Sequence, residues 1–205
     1  MLSDGQMLLK AICADPDNDL PRLVYADYLE ENGQAERAAF IRLQCEFVRK
    51  CLSGEGFDED IRRHLGSAWA VHESTWRKEL PRIPGVTWDV VFHRGFIERV
   101  IVDTDTILHD NAEAILGFTP IHHLCIRRFG GATSVTLLPA LRHLKSAIIT
   151  HDRTSRAIDE LLAWIGFRED LRLELHATQG GTSAGSREGE LLEHFRRQLR
   201  QPSRP

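Results

Sequence analysis

Apolar residues recur at helical spacing through the first 80 positions of the chain and alternate thereafter. Met7, Leu8, Ala11 and Ile12 share one face of an expected helix over residues 5–14, which Asp4 can cap. The loop Asp15-Pro16-Asp17-Asn18-Asp19 interrupts it, because Pro16 biases Asp15 toward extended backbone. Asp19 can cap a second helix ending near Glu31, with Pro21 in its first turn, where a missing N–H costs little. Leu20, Leu23, Val24, Tyr28 and Leu29 form its expected apolar face. Asn32-Gly33 is a helix stop. A third helix over 35–52 is expected to bury Ala38, Ile41, Cys45 and Val48, flanked by Phe40, Leu43 and Phe47. A fourth, over 58–79, carries Ile61, Leu65, Trp69 and Trp76.

Pro81 and Pro84 close this helical half. Val86, Trp88, Val90 and Phe92 then alternate as in a half-buried strand, and His93-Arg94-Gly95 turns into a second strand running to Asp103. A repeat follows. Ile97, Val100 and Val102 stand at the spacing of a leucine-rich-repeat core. Ile121, Leu124 and Ile126 repeat it, and Leu144, Ala147 and Ile149 repeat it loosely. The starts lie 24 and 23 residues apart, within the period of that class. Leu171, Leu173 and Leu175 form a fourth strand read as one residue out of register. Helical patterns between the strands contain Ile107, Ala112, Ile115 and Leu116, then Val135, Leu137, Leu138 and Leu141, then Ile158, Leu161, Leu162 and Ile165. Strand, helix, strand at this spacing implies parallel strands joined by crossovers.

The expected fold is therefore α/β. A helical domain over 1–80 caps a short leucine-rich-repeat-like solenoid over 84–176, and 177–205 is a flexible linker with a basic helix or tail. An ordinary small α/β sheet is the competing reading, because Asp103, Phe129 and Asp152 stand near where the repeat class places an asparagine.

Charge and composition narrow the function classes. The formal net charge of −4 gives no global sign of nucleic-acid binding, and the excess acids lie in residues 1–80. Cys13, Cys45, Cys51 and Cys125 lack the paired spacing of a zinc site. The first residues do not read as a signal peptide, and no stretch approaches the ~20 apolar residues of a membrane span. A reduced, cytoplasmic protein with no membrane contact is expected. The ten histidines form no HExxH, and His122 and His123, being adjacent, face opposite sides of a strand. No metal or cofactor is expected. Asp15, Asp17 and Asp19 open like a calcium loop, but Leu20 and Ala26 stand where that loop needs Gly and Glu.

Asp27 falls on or beside the apolar face of the second helix, where a carboxylate requires a partner. Arg22, Arg37 and Arg42 are the cations within reach. A polar clasp of Arg22, Asp27, Arg37 and Arg42 is expected to hold the helices in register, with a catalytic acid at Asp27 as the alternative. Residues between the buried repeat positions would project from the sheet as a protein-binding face: Arg99, Ile101, Asp103, His123, Cys125, Arg127, Ser146, Ile148, Thr150, Arg172 and Glu174. Arg196, Arg197 and Arg200 are a candidate nucleic-acid contact, although Phe195 is the one aromatic residue beside them.

Three stretches resemble a known family. They are Leu8-Leu9-Lys10-Ala11-Ile12 with Asp15-Pro16-Asp17, then Arg22-Leu23-Val24-Tyr25-Ala26-Asp27-Tyr28-Leu29-Glu30-Glu31 with Gly33, then Arg37-Ala38-Ala39-Phe40-Ile41-Arg42-Leu43-Gln44. Together they resemble the bacterial repeat-companion domain over about the first 50 residues. Arg94-Gly95-Phe96-Ile97 also resembles the entry to the repeat part of such proteins. The resemblance implies neighbouring leucine-rich or similar repeats and supplies no catalytic residues. The expected function is a non-enzymatic protein–protein interaction module, a subunit or regulator of a larger complex. The alternatives are an enzyme or enzyme accessory whose site a partner chain completes, and nucleic-acid contact through the tail.

Overall fold

The computed structural model describes residues 2–55, 58–130, 141–151 and 171–177, with backbone alone for His151, Leu173, Leu175 and Ala177. Helix α1 (Asp4–Ala14) is capped by Ser3 and not by Asp4. The Ser3 hydroxyl accepts from the Gln6 amide at 3.3 Å, and Gln6 Oε1 accepts from the Ser3 amide at 3.0 Å. This reciprocal pair satisfies two orphan donors and leaves Asp4 in the first turn, where the helix dipole favours an acid. Helix α2 (Leu20–Glu31) follows Asp19, whose side chain makes no cap bond. Asn18 Oδ1 accepts from the Leu20 amide instead, and the Asp19 carboxylate turns to Arg94. Helix α3 (Ala35–Ser53) ends at left-handed Gly54. Asp58 caps α4 (Glu59–Trp76), which tightens into a 3-10 turn at Arg77–Glu79.

The buried face of α2 keeps Leu29 and part of Tyr28 from the face its apolar residues predict, and its first two turns are reversed. Arg22, Ala26 and Leu29 are buried, whereas Leu20, Leu23 and Val24 are 65%, 36% and 42% exposed. The hairpin segment explains the change, because the Arg94 carbonyl and the Glu98 carboxylate there demand the Arg22 guanidinium.

Strands β1 (Val86–Trp88), β4 (Arg99–Thr104), β5 (His123–Phe129), β6 (Ser146–His151) and β7 (Arg172–Ala177) form one sheet in that order. Strand β1 is antiparallel to β4, and β4 to β7 are parallel. Strands β2 (Phe92–His93) and β3 (Phe96–Ile97) make a separate hairpin. The single strand expected over 96–103 is thus broken at Glu98, whose carbonyl accepts from the amides of His122 and His123 at 2.8 and 3.0 Å. Helices α5 (Asp105–Asp110) and α6 (Ala112–Leu116) occupy the crossover from β4 to β5. The helical patterns expected around 135–138 and 158–165, and the tail from 178, lie outside the described residues.

The ladder corrects the register of the fourth strand. Val100, Leu124, Ala147 and Leu173 pair in one row, and Val102, Ile126, Ile149 and Leu175 in another. Leu173 and Leu175 are in step with the earlier strands; Leu171 alone comes one position late.

Two apolar clusters meet at the hairpin. Phe40 and Trp76 of the helices pack with Phe92, Ile97, Val100 and Leu124 of the strands. Ile12, Ala26, Leu29, Ala38, Ile41 and Cys45 form the second cluster, which Phe96 enters from β3. Between Phe92 and Phe96 the chain reverses through Arg94 (φ 47°) and Gly95 (φ 88°). Two consecutive positive φ values define the two-residue turn that matches strand twist. A Cβ on Gly95 would lie 2.4 Å from Ile41 Cγ1.

Gly95→Ala is expected to cost about 2–4 kcal/mol, combining left-handed strain with overpacking. Gly33→Ala, at φ 78° with open space around it, should cost only about 1–2 kcal/mol. Urea unfolding midpoints of the two variants check the difference.

Candidate functional site

The tip of the β2–β3 hairpin is plugged into the helical half by three side chains. From α2, Arg22 Nη1 donates to the Arg94 carbonyl at 3.2 Å. From α3, Arg37 Nη2 donates to the Gly95 carbonyl at 2.6 Å. Also from α3, Gln44 Nε2 donates to the Phe92 carbonyl at 2.9 Å, and its Oε1 accepts from the Gly95 amide at 2.6 Å. Returning the connection, Arg94 donates to the carbonyls of Pro16 and Asp17 in the α1–α2 loop, at 2.9 and 3.0 Å, and to Asp19 Oδ1 at 3.2 Å. These bonds offset the cost of a non-glycine residue at positive φ.

Behind the turn lies Glu98, which is buried. Its Oε1 accepts from Arg22 Nη2 at 2.9 Å and lies 3.6 Å from Arg94 Nη2. Its Oε2 pairs with His93 Nδ1 at 3.0 Å and with His122 Nδ1 at 2.8 Å. Burial alone would raise the Glu98 carboxyl, but the hydrogen bonds and charges of His122 and His93 outweigh it and hold the group well below its ordinary value. Burial lowers the Arg22 guanidinium, which Glu98 partly counters. Asp17 extends the network outward, accepting from Lys145 Nζ at 2.5 Å and lying 3.9 Å from His122 Nε2. Burial would raise the Asp17 carboxyl, but Lys145, His122 and Arg94 leave it lowered. Arg142 Nη2 reaches the Ala14 carbonyl at 3.3 Å, so the segment before β6 is tied to the same loop.

Arg37 sits in an aromatic cage, its guanidinium 4.9, 5.0 and 5.8 Å from the ring centres of Trp76, Phe92 and Phe96. Such cation–π contacts favour a delocalised cation that burial would otherwise penalise. Burial lowers its pKa, and Glu79, 4.0 Å from Nε, opposes that shift. A cavity of about 30 Å³ beside it, bordered by Tyr25, Glu79 and Thr119, has room for about one water-sized molecule.

The expected clasp divides in two. Arg42 Nη2 donates to Asp27 Oδ1 at 2.7 Å and to Glu30 Oε2 at 2.6 Å, joining α2 to α3 at the surface. Asp27 is exposed and not on the buried face, since the helix turns its Arg22 side inward. Arg22 and Arg37 point away from Asp27, toward the hairpin. The sheet face differs from the expected open surface at its centre. Ile101, Cys125 and Ile148 stand side by side on adjacent strands, pack on one another and are buried. Burial pushes the Cys125 thiol up to about 11. Around this row, buried Arg99 lies 3.3 Å from Asp89, His123 bonds Ser146 at 2.8 Å, Arg127 bonds Asp103 at 2.8 Å, and Arg172 lies 3.3 Å from Glu174. Thr150 is half-buried on the same face. Arg196, Arg197 and Arg200 lie outside the described residues.

Sequence reasoning missed Glu98, Arg94, Gln44 and His122 as members of one network. The available signal was an arginine in phase with the small and apolar positions Ala26 and Leu29 of α2, which implies a buried acceptor elsewhere. Among the described residues, no group of three or more His, Cys, Asp or Glu side chains is placed to hold a metal ion, and no helix is long and apolar enough to cross a membrane. The fold defines a mixed helix-and-sheet protein with a parallel-stranded sheet. No family model, curated protein or solved structure matches the chain.

Removing one partner of the Arg22–Glu98 pair leaves the other buried. Arg22→Met and Glu98→Gln are each expected to cost about 3–5 kcal/mol, and the Arg22→Met/Glu98→Gln double variant less than the sum. Arg42→Ala, at the exposed clasp, should cost no more than about 1 kcal/mol. Chemical denaturation at pH 7 measures all four.

Burial, helped by the charges of Arg99 and His122, lowers His123 from 6.5 to about 4. Its unfolded form binds a proton between these values and its folded form does not. Its contribution is therefore complete above pH 6.5 and declines as the pH falls to about 4. The lowered Glu98 carboxyl contributes stability above pH 4.5 that is lost progressively below it. Thermal melting of His123→Gln should show a flatter pH dependence between 7 and 4.5, and Glu98→Gln a flatter one below 4.5.

Proposed function

We propose that the chain is a non-enzymatic protein-interaction module, in which a helical half of the repeat-companion kind caps a short leucine-rich-repeat-like array. The in-register rows of Val100, Leu124, Ala147 and Leu173 support the repeat reading. The ionisable residues of the resembling motifs support a joining role, because Arg22 and Arg37 bind the hairpin and Arg42 binds α2. The observation that carries the interaction reading is the reversed face of the first two turns of α2. A helix that buries an arginine while presenting Leu20, Leu23 and Val24 to solvent keeps an exposed apolar surface among the described residues. That surface replaces the centre of the sheet as the favoured binding site, since Ile101, Cys125 and Ile148 are covered.

The Leu20→Glu/Val24→Glu variant should keep the wild-type melting temperature and lose proteins that the wild-type chain retains from a native-host lysate. Equal recovery by both would overturn the assignment of the site. Substrate turnover by the purified chain in a broad hydrolase screen would overturn the non-enzymatic reading.

A further inference from the structure

The exposed side of α2 has two chemically distinct halves. Helical periodicity places Leu20, Leu23, Val24, Asp27 and Glu31 opposite Arg22, Ala26 and Leu29. The first two turns of this side are apolar. The last is acidic, with Asp27, Glu30 and Glu31. Among the described residues Arg42 is the cation paired with it, and one guanidinium shared by Asp27 and Glu30 leaves the half negative. Asp15, Asp17 and Asp19 lie at the other, N-terminal end of α2, where Asp17 is paired with Lys145 and Asp19 with Arg94. A matching occupant carries apolar residues followed by basic ones, along one helix-length segment.

The sequence of this chain contains such a segment. Leu191, Leu192, Phe195 and Leu199 recur at helical spacing, and Arg196, Arg197 and Arg200 follow the first apolar group, with Glu188, Glu190 and Glu193 before or within it. Laid parallel to α2, its apolar residues meet Leu20, Leu23 and Val24. Its arginines meet Asp27, Glu30 and Glu31. Three partly exposed apolar side chains offer far less than the roughly 800 Å² per partner of a stable interface. The complex is accordingly weak, and a single segment is the scale of occupant the surface fits.

We infer that the exposed face of α2 docks the C-terminal segment, residues 187–200, of a second copy of this chain. The inference rests on the reading of α2 as an interaction surface and names its partner.

Sedimentation equilibrium of the full-length chain tests it. The weight-average mass should rise with concentration, with a Kd of the order of tens of micromolar, and the rise should weaken with added NaCl as charge pairs are screened. Leu20→Glu/Val24→Glu should weaken association at least about tenfold, a loss of about 1.4 kcal/mol. Arg196→Glu/Arg197→Glu/Arg200→Glu should do the same. Mixing the two variants should restore a heterodimer, because one supplies an intact tail and the other an intact face. Melting curves establish that each variant is folded. A wild-type chain that stays monomeric, association that survives either set of substitutions, or a mixture that forms no heterodimer would each overturn the inference. If these fail while Leu20→Glu/Val24→Glu still loses a native partner, the interaction reading stands and self-association alone is wrong.

Discussion

The ion pair between Arg22 and Glu98 is the constraint on which the rest of the structure depends. A buried carboxylate is costly unless its oxygens are satisfied, and both oxygens of Glu98 are, by groups from α2, the hairpin and the segment leading into β5. Because Glu98 sits between β3 and β4, satisfying it decides where the strand breaks. Because Arg22 sits on α2, satisfying it decides which way that helix turns. One electrostatic requirement thus sets the strand break and the orientation of a helix.

The same requirement accounts for the hairpin. A tight turn carrying Arg94 and Gly95 at positive φ is strained at the first of them, and its carbonyls lie against protein and not water. Arg22, Arg37 and Gln44 meet those carbonyls, while Arg94 returns the connection to the loop before α2. Apolar packing acts alongside, since Phe92 and Phe96 enter different clusters on either side of the turn. Polar bonds define the position of the hairpin, and the aromatic rings supply buried area.

The proposed function rests on what this arrangement leaves over. Turning Arg22 inward turns Leu20, Leu23 and Val24 outward, so the stability of the junction and the exposed apolar surface are two consequences of one rotation. The centre of the sheet's second face, at Ile101, Cys125 and Ile148, is meanwhile buried. The surface proposed for a partner therefore lies on the helix.

Local signals determined the helices and strands. Pro16, Gly33 and Gly54 mark helix ends, and the alternation of Val100 and Val102, Leu124 and Ile126, and Ala147 and Ile149 marks strands whose parallel order follows from the crossovers between them. The pairing of Asp27 with Arg42 was also legible, because both groups lie on adjacent helices of one hairpin, but its exposure was not. The face that the first two turns of α2 bury was not legible. Leu20, Leu23 and Val24 have the pattern of a core face, and periodicity weighs apolar against polar without knowing where an acceptor lies. Arg22 and Glu98 are 76 residues apart, and the Arg94 carbonyl that also meets the guanidinium is placed there only once the hairpin has formed. Propensity and period operate over a few turns of chain. A buried charge is resolved by partners from distant segments, so the tertiary structure alone decided it.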